Sequence, residues 1–382
     1  MKILAKIRVI VVDDSRLMRE VLRDALSRDP DIDVVGLAAS AIEAQGMINE
    51  LRPDVLTLDV EMPGMNGLEF LKKLMKWRPI PVVMVSGATS QGADLTFRAL
   101  EAGAFDFIAK PGRSNDRARF SEHLKCQVRA AAKNGIPTVA GRQGGPRKAK
   151  PLSDGRSPDI SRSARAKPTA RMPSARGGTL GSPPFRGPRI IAIGASTGGV
   201  TSIERVLEQV VSPFPPIVIA QHMPREFTKR FASRLAALTG LDIAEARNEE
   251  ALQPGNVRLV PGDGHLSVSS MSGQIVCRLE PDDPPSRVRP SVDRLFHSVA
   301  TQIGGRSIGI ILSGMGRDGA GGLLAMRRAG AFTLGEAESS CTVYGMPKAA
   351  WNLGAVEEEA DISGIADLLT KAVNKPARAR SS

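Results

Sequence analysis

The sequence predicts an α/β protein of two domains, each built on a parallel sheet, joined by a basic linker. Short apolar runs that end in polar residues alternate with helix-period stretches over residues 7–111. The same alternation returns over residues 188–375, and between the two the periodicity stops. Strands that alternate with helices pair in parallel and are covered on both faces, so they read as nearly unbroken apolar runs.

In the first domain, Arg8–Val12 is predicted as a buried strand, and Ser15 caps a helix with Leu17, Met18, Val21, Leu22, Ala25 and Leu26 on its apolar face. Ile32–Val35 and Asp54–Asp59 are the second and third strands. The turn Met62–Gly67 then leads to a helix over Leu68–Lys76, and Pro81–Ser86 and Asp106–Lys110 supply two more strands. In the second domain, Ile190–Ile193 is a strand, followed by a glycine-rich turn and a helix over Val200–Leu207. A strand over Pro216–Gln221 precedes a helix over Glu226–Leu238. Short strands are expected at Asn256–Val260, His265–Ser269 and Gln274–Leu279, a helix at Val292–Ile303, a strand at Ser307–Ser313 and a helix opened by Gly316–Gly322.

The formal charge of +12 suggests nucleic-acid binding until it is located. Between Lys133 and Arg189 there are 13 Lys and Arg against Asp154 and Asp159, a net of +11 that leaves +1 for everything else. This segment, rich in Gly, Pro, Ser, Arg and Lys, cannot bury enough apolar surface to offset its ordering entropy. As a random coil it would span roughly 40 Å. No apolar run is long enough to span a bilayer, and Asp13 and Asp14 interrupt the N-terminal run, which excludes a secretory signal. Three dispersed cysteines without a C-x-x-C pair imply a reducing, cytoplasmic setting with neither a disulfide frame nor a zinc site.

Asp13, Asp14, Asp59, Ser86 and Lys110 all fall at or just after the carboxyl ends of predicted strands, where an open parallel sheet binds ligands. Three carboxylates brought together need a cation, and oxygen-only donors suit Mg²⁺. Lys110 and the Ser86 hydroxyl would hold phosphoryl oxygens, which makes Asp59 a phosphoryl acceptor. The competing reading leaves the acids as solvated loop charges.

The second constellation starts from Ser196, where strand meets helix in Gly194-Ala-Ser-Thr-Gly198, a G-x-S-x-G nucleophile pattern. Such turns also hold phosphates, but no Lys follows the glycines and the spacing is not G-x-G-x-x-G. Of the four histidines, His222 follows the next buried strand and reaches the same sheet edge. Asp318, in a glycine-rich turn after another buried strand, supplies an acid to orient the imidazole.

Residues 7–125, with these acids, Ser86 and Lys110-Pro111, resemble a response-regulator receiver domain. The resemblance implies a flavodoxin-like fold, Mg²⁺ on Asp13 and Asp14 beside Asp59, phosphorylation of Asp59 by a histidine kinase, and phosphate sensing by Ser86 and Lys110. Phe107 matches the aromatic switch position, or is an ordinary core aromatic. Residues 188–375 resemble the catalytic domain of the chemotaxis protein-glutamate methylesterases. The matching motifs are Gly194–Gly199, Gln221-His-Met-Pro224, Arg289-Pro-Ser-Val-Asp293, Gly314-Met-Gly-Arg-Asp-Gly319 and Tyr344-Gly-Met-Pro347.

That likeness implies a doubly wound α/β domain that hydrolyses glutamate γ-methyl esters on chemoreceptors and deamidates receptor glutamines. Ser196, His222 and Asp318 would be its triad, Thr197 would orient the imidazole and Met315 would lie near the oxyanion. No cofactor is expected for the esterase, and contact with the membrane only through receptors. The chain departs from the family in its long basic linker, 126–187, and at Thr333-Leu-Gly-Glu-Ala-Glu338, where an Ala-Gln-Asp-Glu-like run is expected. An unphosphorylated receiver that covers the Ser196 cleft is the expected control. A DNA-binding response regulator is disfavoured, because the second domain shows no helix-turn-helix and the linker lacks interleaved aromatics. An inactive scaffold is disfavoured by the intact triad set.

Overall fold

The structure, a computed structural model, describes residues 5–87, 89–111, 117–135, 189–280 and 288–374. The expected linker lies outside these residues from position 136 onward. The first domain runs β1 (Ile7–Val12), α1 (Arg16–Ser27), β2 (Ile32–Ala38), α2 (Ala41–Leu51), β3 (Val55–Asp59), α3 (Gly67–Trp77), β4 (Val82–Ser86), α4 (Ser90–Glu101), β5 (Asp106–Ala109) and α5 (Arg117–Asn134). Its five parallel strands lie in the order β2-β1-β3-β4-β5. The order reverses between β1 and β3, so Asp13 and Asp59 leave neighbouring strands at the switch point where such sheets bind ligands.

Local chemistry starts each of α1 to α4. Ser15, Ser40, Asn66 and Thr89 accept the N–H groups of Met18, Glu43, Glu69 and Gly92, and Glu43 reaches back to the Ala39 N–H. α5 runs through Asn134, past residue 125 where the receiver domain is expected to end, because Gln127, Val128, Ala130 and Ala131 keep burying a helical face. The beginning of the expected linker is therefore part of the first domain's last helix.

The second domain runs β6 (Ile190–Ala195), α6 (Gly199–Leu207), β7 (Ile217–Gln221), α7 (Arg225–Thr239), β8 (Asp242–Glu245), β9 (Ala251–Leu252), β10 (Asn256–Leu259), β11 (His265–Met271), β12 (Gln274–Glu280), α8 (Val292–Gln302), β13 (Ser307–Ile311), α9 (Ala320–Arg328), β14 (Phe332–Glu336), α10 (Met346–Asn352), β15 (Glu358–Ala360) and α11 (Ile362–Asn374). Seven parallel strands lie in the order β15-β14-β13-β6-β7-β10-β8. Alternate residues of β6 face opposite ways. Ile191 and Ile193 join a core with α6, α7 and α11, whereas Ile190 and Ala192 join one with α8 and α9. The helix expected to open within Gly316–Gly322 starts at Ala320, after a turn in which Gly316 and Gly319 hold φ near +90°.

Of the three short strands expected after residue 255, only β10 joins the parallel sheet. β11 and β12 pair antiparallel through Ser272 and Gly273, both at positive φ, and β12 pairs with β9. Two consecutive positive φ values give a turn whose twist matches the hairpin. No helix among the described residues is long and apolar enough to cross a membrane.

Candidate active site and phosphoacceptor pocket

Ser196 follows β6 at the point where the second sheet reverses its strand order, since β6 lies between β13 and β7. Its N–H donates to Ser313 O (3.0 Å), and Gly198 makes the turn into α6 at φ +77°. A Cβ on Gly198 would lie 2.3 Å from Thr342 Cβ, so both the backbone conformation and the space require glycine. His222 follows β7, and its N–H donates to Ala195 O (3.1 Å), while Gln221 Nε2 donates to Ser196 O (2.8 Å). The base-bearing and hydroxyl-bearing turns are thus tied through their backbones.

His222 Nε2 lies 2.9 Å from Asp318 Oδ2. Asp318 also accepts the N–H groups of Val292 (2.7 Å) and Asp293 (3.0 Å) and the Ser291 hydroxyl (3.1 Å). Burial alone would raise the Asp318 pKa. The hydrogen bond and charge of His222, with the two α8 N–H groups, outweigh burial and hold it down at about 2. A carboxylate at the first turn of a helix is further favoured by the helix dipole. Ser291 caps α8 and donates to Asp318 at the same time, a role the bare sequence motif did not suggest.

Two expectations meet the structure differently. The Thr197 hydroxyl lies 2.7 Å from His123 Nε2 on α5 of the first domain, so it is engaged there rather than with His222. No hydrogen bond joins Ser196 Oγ to His222 among the described residues. Met315 is half-buried in the loop after β13, and neither its N–H nor that of Thr197 has a hydrogen-bond partner among the described residues. Such N–H groups are free to donate to a bound group.

The first domain packs directly on this turn. Asp106 Oδ2 accepts the Gly198 N–H (2.9 Å), and Gln127 Nε2 donates to Phe107 O (2.7 Å) alongside. Burial raises the Asp106 pKa to about 6 and lowers that of His123 to about 4, the latter helped by the charges of Arg119 and His222. Phe107 stacks on Phe227 of α7 with centroids 4.9 Å apart, and Phe97 stacks on Phe231 at 5.7 Å. Around these rings Arg230 pairs with Asp94 (3.2 Å), and Arg234 binds both Glu101 and Glu204. Ser196 is 7% exposed and Thr197 3%.

His123 carries no sequence motif. Only the docking of α5 gives it a role.

In the first domain the Asp13, Asp14 and Asp59 carboxylates lie within 4.8 Å of one another. Lys110 Nζ is 2.8 Å from Asp59 and 2.9 Å from Asp13. Burial first, then the Asp13 charge, raises the Asp59 pKa to about 6 against the opposing effect of Lys110. Three carboxylates against one ammonium leave the pocket anionic, and an all-oxygen donor set fits Mg²⁺. Ser86 is fully buried at the end of β4, and its hydroxyl donates to Gly87 O (3.2 Å).

Comparison with known proteins matches residues 191–369 to the CheB methylesterase family and residues 9–119 to the response regulator receiver domain. A protein-glutamate methylesterase/protein-glutamine glutaminase 1 of Caulobacter vibrioides is 46% identical over 95% of this chain and 96% of its own length. The protein-glutamate methylesterase/protein-glutamine glutaminase of Escherichia coli K12 is 41% identical over 95% of each. The crystal structure of the Thermotoga maritima CheB methylesterase catalytic domain covers 48% of this chain and 98% of its own, at 34% identity and a TM-score of 0.47.

Proposed function

Because this chain belongs to the chemotaxis protein-glutamate methylesterase/protein-glutamine glutaminase family, we propose that it hydrolyses glutamate γ-methyl esters of chemoreceptors by a Ser196-His222-Asp318 triad under control of Asp59 phosphorylation. The observation that carries the triad is the 2.9 Å His222–Asp318 hydrogen bond beside the turn that presents Ser196. Ser196 Oγ attacks the ester carbonyl and His222 takes its proton. The Thr197 and Met315 N–H groups receive the developing oxyanion. His222 then protonates the leaving methoxide oxygen, which departs as methanol, or the leaving amide nitrogen of a glutamine, which departs as ammonia, and water clears the glutamyl-enzyme. Asp318 stays ionised throughout and stabilises the imidazolium. Incubation with a fluorophosphonate, followed by peptide mapping, is expected to place the adduct on Ser196; an adduct elsewhere would remove the mechanism.

The receiver fits the role of a cover. Its Asp106 and His123 occupy the Gly198 N–H and the Thr197 hydroxyl, and its aromatic face lies on α7. Asp13, Asp14 and Asp59 would hold Mg²⁺, which would supply charge neutralisation for phosphoryl transfer from a histidine kinase, and Lys110 is placed to hold a phosphoryl oxygen. Phosphorylation then shifts the population toward the uncovered form. A small phosphodonor is expected to raise methanol release from methylated receptor membranes, and Asp59→Asn to abolish that rise while the basal rate stays the same. Phe97→Ala should remove two aromatic contacts across the domains. The expected result is a basal rate about 10–100-fold higher, equal to about 1.4–2.7 kcal/mol of docking energy. An unchanged basal rate would show that the contact does not restrain activity.

A further inference from the structure

Glu336 is a fully buried acid at the last position of β14, in no direct contact with the triad. Its Oε2 accepts the Ser313 N–H at 2.8 Å, its Oε1 accepts the Ser340 hydroxyl at 3.1 Å, and the Ser202 hydroxyl of α6 faces it. A buried carboxylate is costly unless every oxygen finds donors, and these come from three separate segments. The arrangement is therefore specific in direction as well as in charge.

Ser313 is where those contacts converge on the reaction centre. Its carbonyl accepts the Ser196 N–H (3.0 Å), and its hydroxyl donates to Thr197 O (2.8 Å) while accepting the Val343 N–H (3.0 Å). The next residue, Gly314, packs so closely that a Cβ there would lie 2.8 Å from Ser196 Cβ, and from it the chain runs through Met315 to Asp318. One buried serine thus sets the height of the nucleophile turn and the starting direction of the loop that carries the oxyanion donor and the triad acid. Glu336 holds the backbone of that serine from behind.

We propose that Glu336 is a positioning residue for acyl transfer, acting through the Ser313 N–H. The proposal rests on the triad reading above. Small displacements of reacting groups cost rate far more than they cost substrate affinity. The required property is an acceptor oxygen at the right reach, not the negative charge.

The test uses the full chain with methylated receptor membranes and a phosphodonor, with circular dichroism melting to confirm folding well above the assay temperature. Glu336→Asp keeps the charge but withdraws the acceptor; Glu336→Met keeps the reach but has no oxygen. Each is expected to lower kcat about 10–100-fold with KM within about twofold. Glu336→Gln, which keeps an oxygen at the same reach, is expected to stay within about threefold of the parent. Should Glu336→Asp fail to fold, Glu336→Met decides. Parental kcat in the Asp or Met variant, or a loss in Gln as large as theirs, overturns the proposal. Ser196→Ala run in parallel separates the two readings. If it retains hydrolysis, the triad is wrong; if it is inactive while the Asp and Met variants remain fully active, only the positioning role is wrong.

Discussion

Ser196→Ala is expected to reduce ester hydrolysis by at least about 10⁴-fold, with substrate binding little changed and melting close to that of the parent. The hydroxyl is the only atom removed, and the turn around it is held by other groups. Ser196 N–H still reaches Ser313 O, Gln221 still reaches Ser196 O, and Gly198 still supplies the left-handed residue. Residual hydrolysis is expected from an oxyanion site that retains its N–H groups. The measurement is methanol release under single-turnover conditions, since fractional contamination by parent enzyme would mask a loss of this size. A decrease below about tenfold would mean that another nucleophile carries the reaction.

Asp318→Asn is expected to lower kcat about 10³–10⁴-fold while leaving the fold intact. The variant still presents an oxygen to the α8 N–H groups, but it cannot stabilise a charged imidazole. The pH dependence follows from the sign of the shift. Asp318 is held down at about 2, so its interaction with His222 is fully present above the ordinary aspartate value near 3.8 and is lost only as pH falls toward 2. An acid limb in the kcat profile near neutrality therefore belongs to another group. A parental limb that tracks an apparent pKa between 3.8 and 2 would instead implicate Asp318. The check is a kcat-versus-pH profile for parent and variant on material whose folding has been followed at each pH.

Much of this site could be read from the chain because parallel sheets place function at strand ends. Asp13, Asp59, Ser196, His222 and Asp318 each follow a short apolar run, and a buried strand is easy to recognise when both its faces are covered. The helices α2 and α5 were harder, since Ala41–Leu51 and Arg117–Asn134 interleave polar residues with a narrow buried stripe. The edge strands β8, β9 and β15 are two to four residues long and take their structure from their neighbours. His123 and Asp106 were invisible as site residues because their relation to Thr197 and Gly198 exists only after two domains meet. Glu336 lies in the stretch that departs from the family pattern, but nothing in its sequence neighbours points to Ser313. Long-range contacts of this kind leave no periodic trace.

Under the proposed control, the arginine shared between α4, α6 and α7 bears on how readily the first domain can leave the Ser196 turn. Arg234 is bound by the nearly buried Glu204 of its own domain and by the half-exposed Glu101 of the other. Separation removes only the solvent-facing partner, a contact worth about 0–1 kcal/mol, and the guanidinium keeps its inner carboxylate. The Arg234 charge is therefore not stranded when the faces part. Parting the faces is opposed by apolar area, the Arg230–Asp94 pair and the hydrogen bonds of Asp106 and His123 to the Ser196 turn, and none of these requires Arg234 to give up its inner carboxylate.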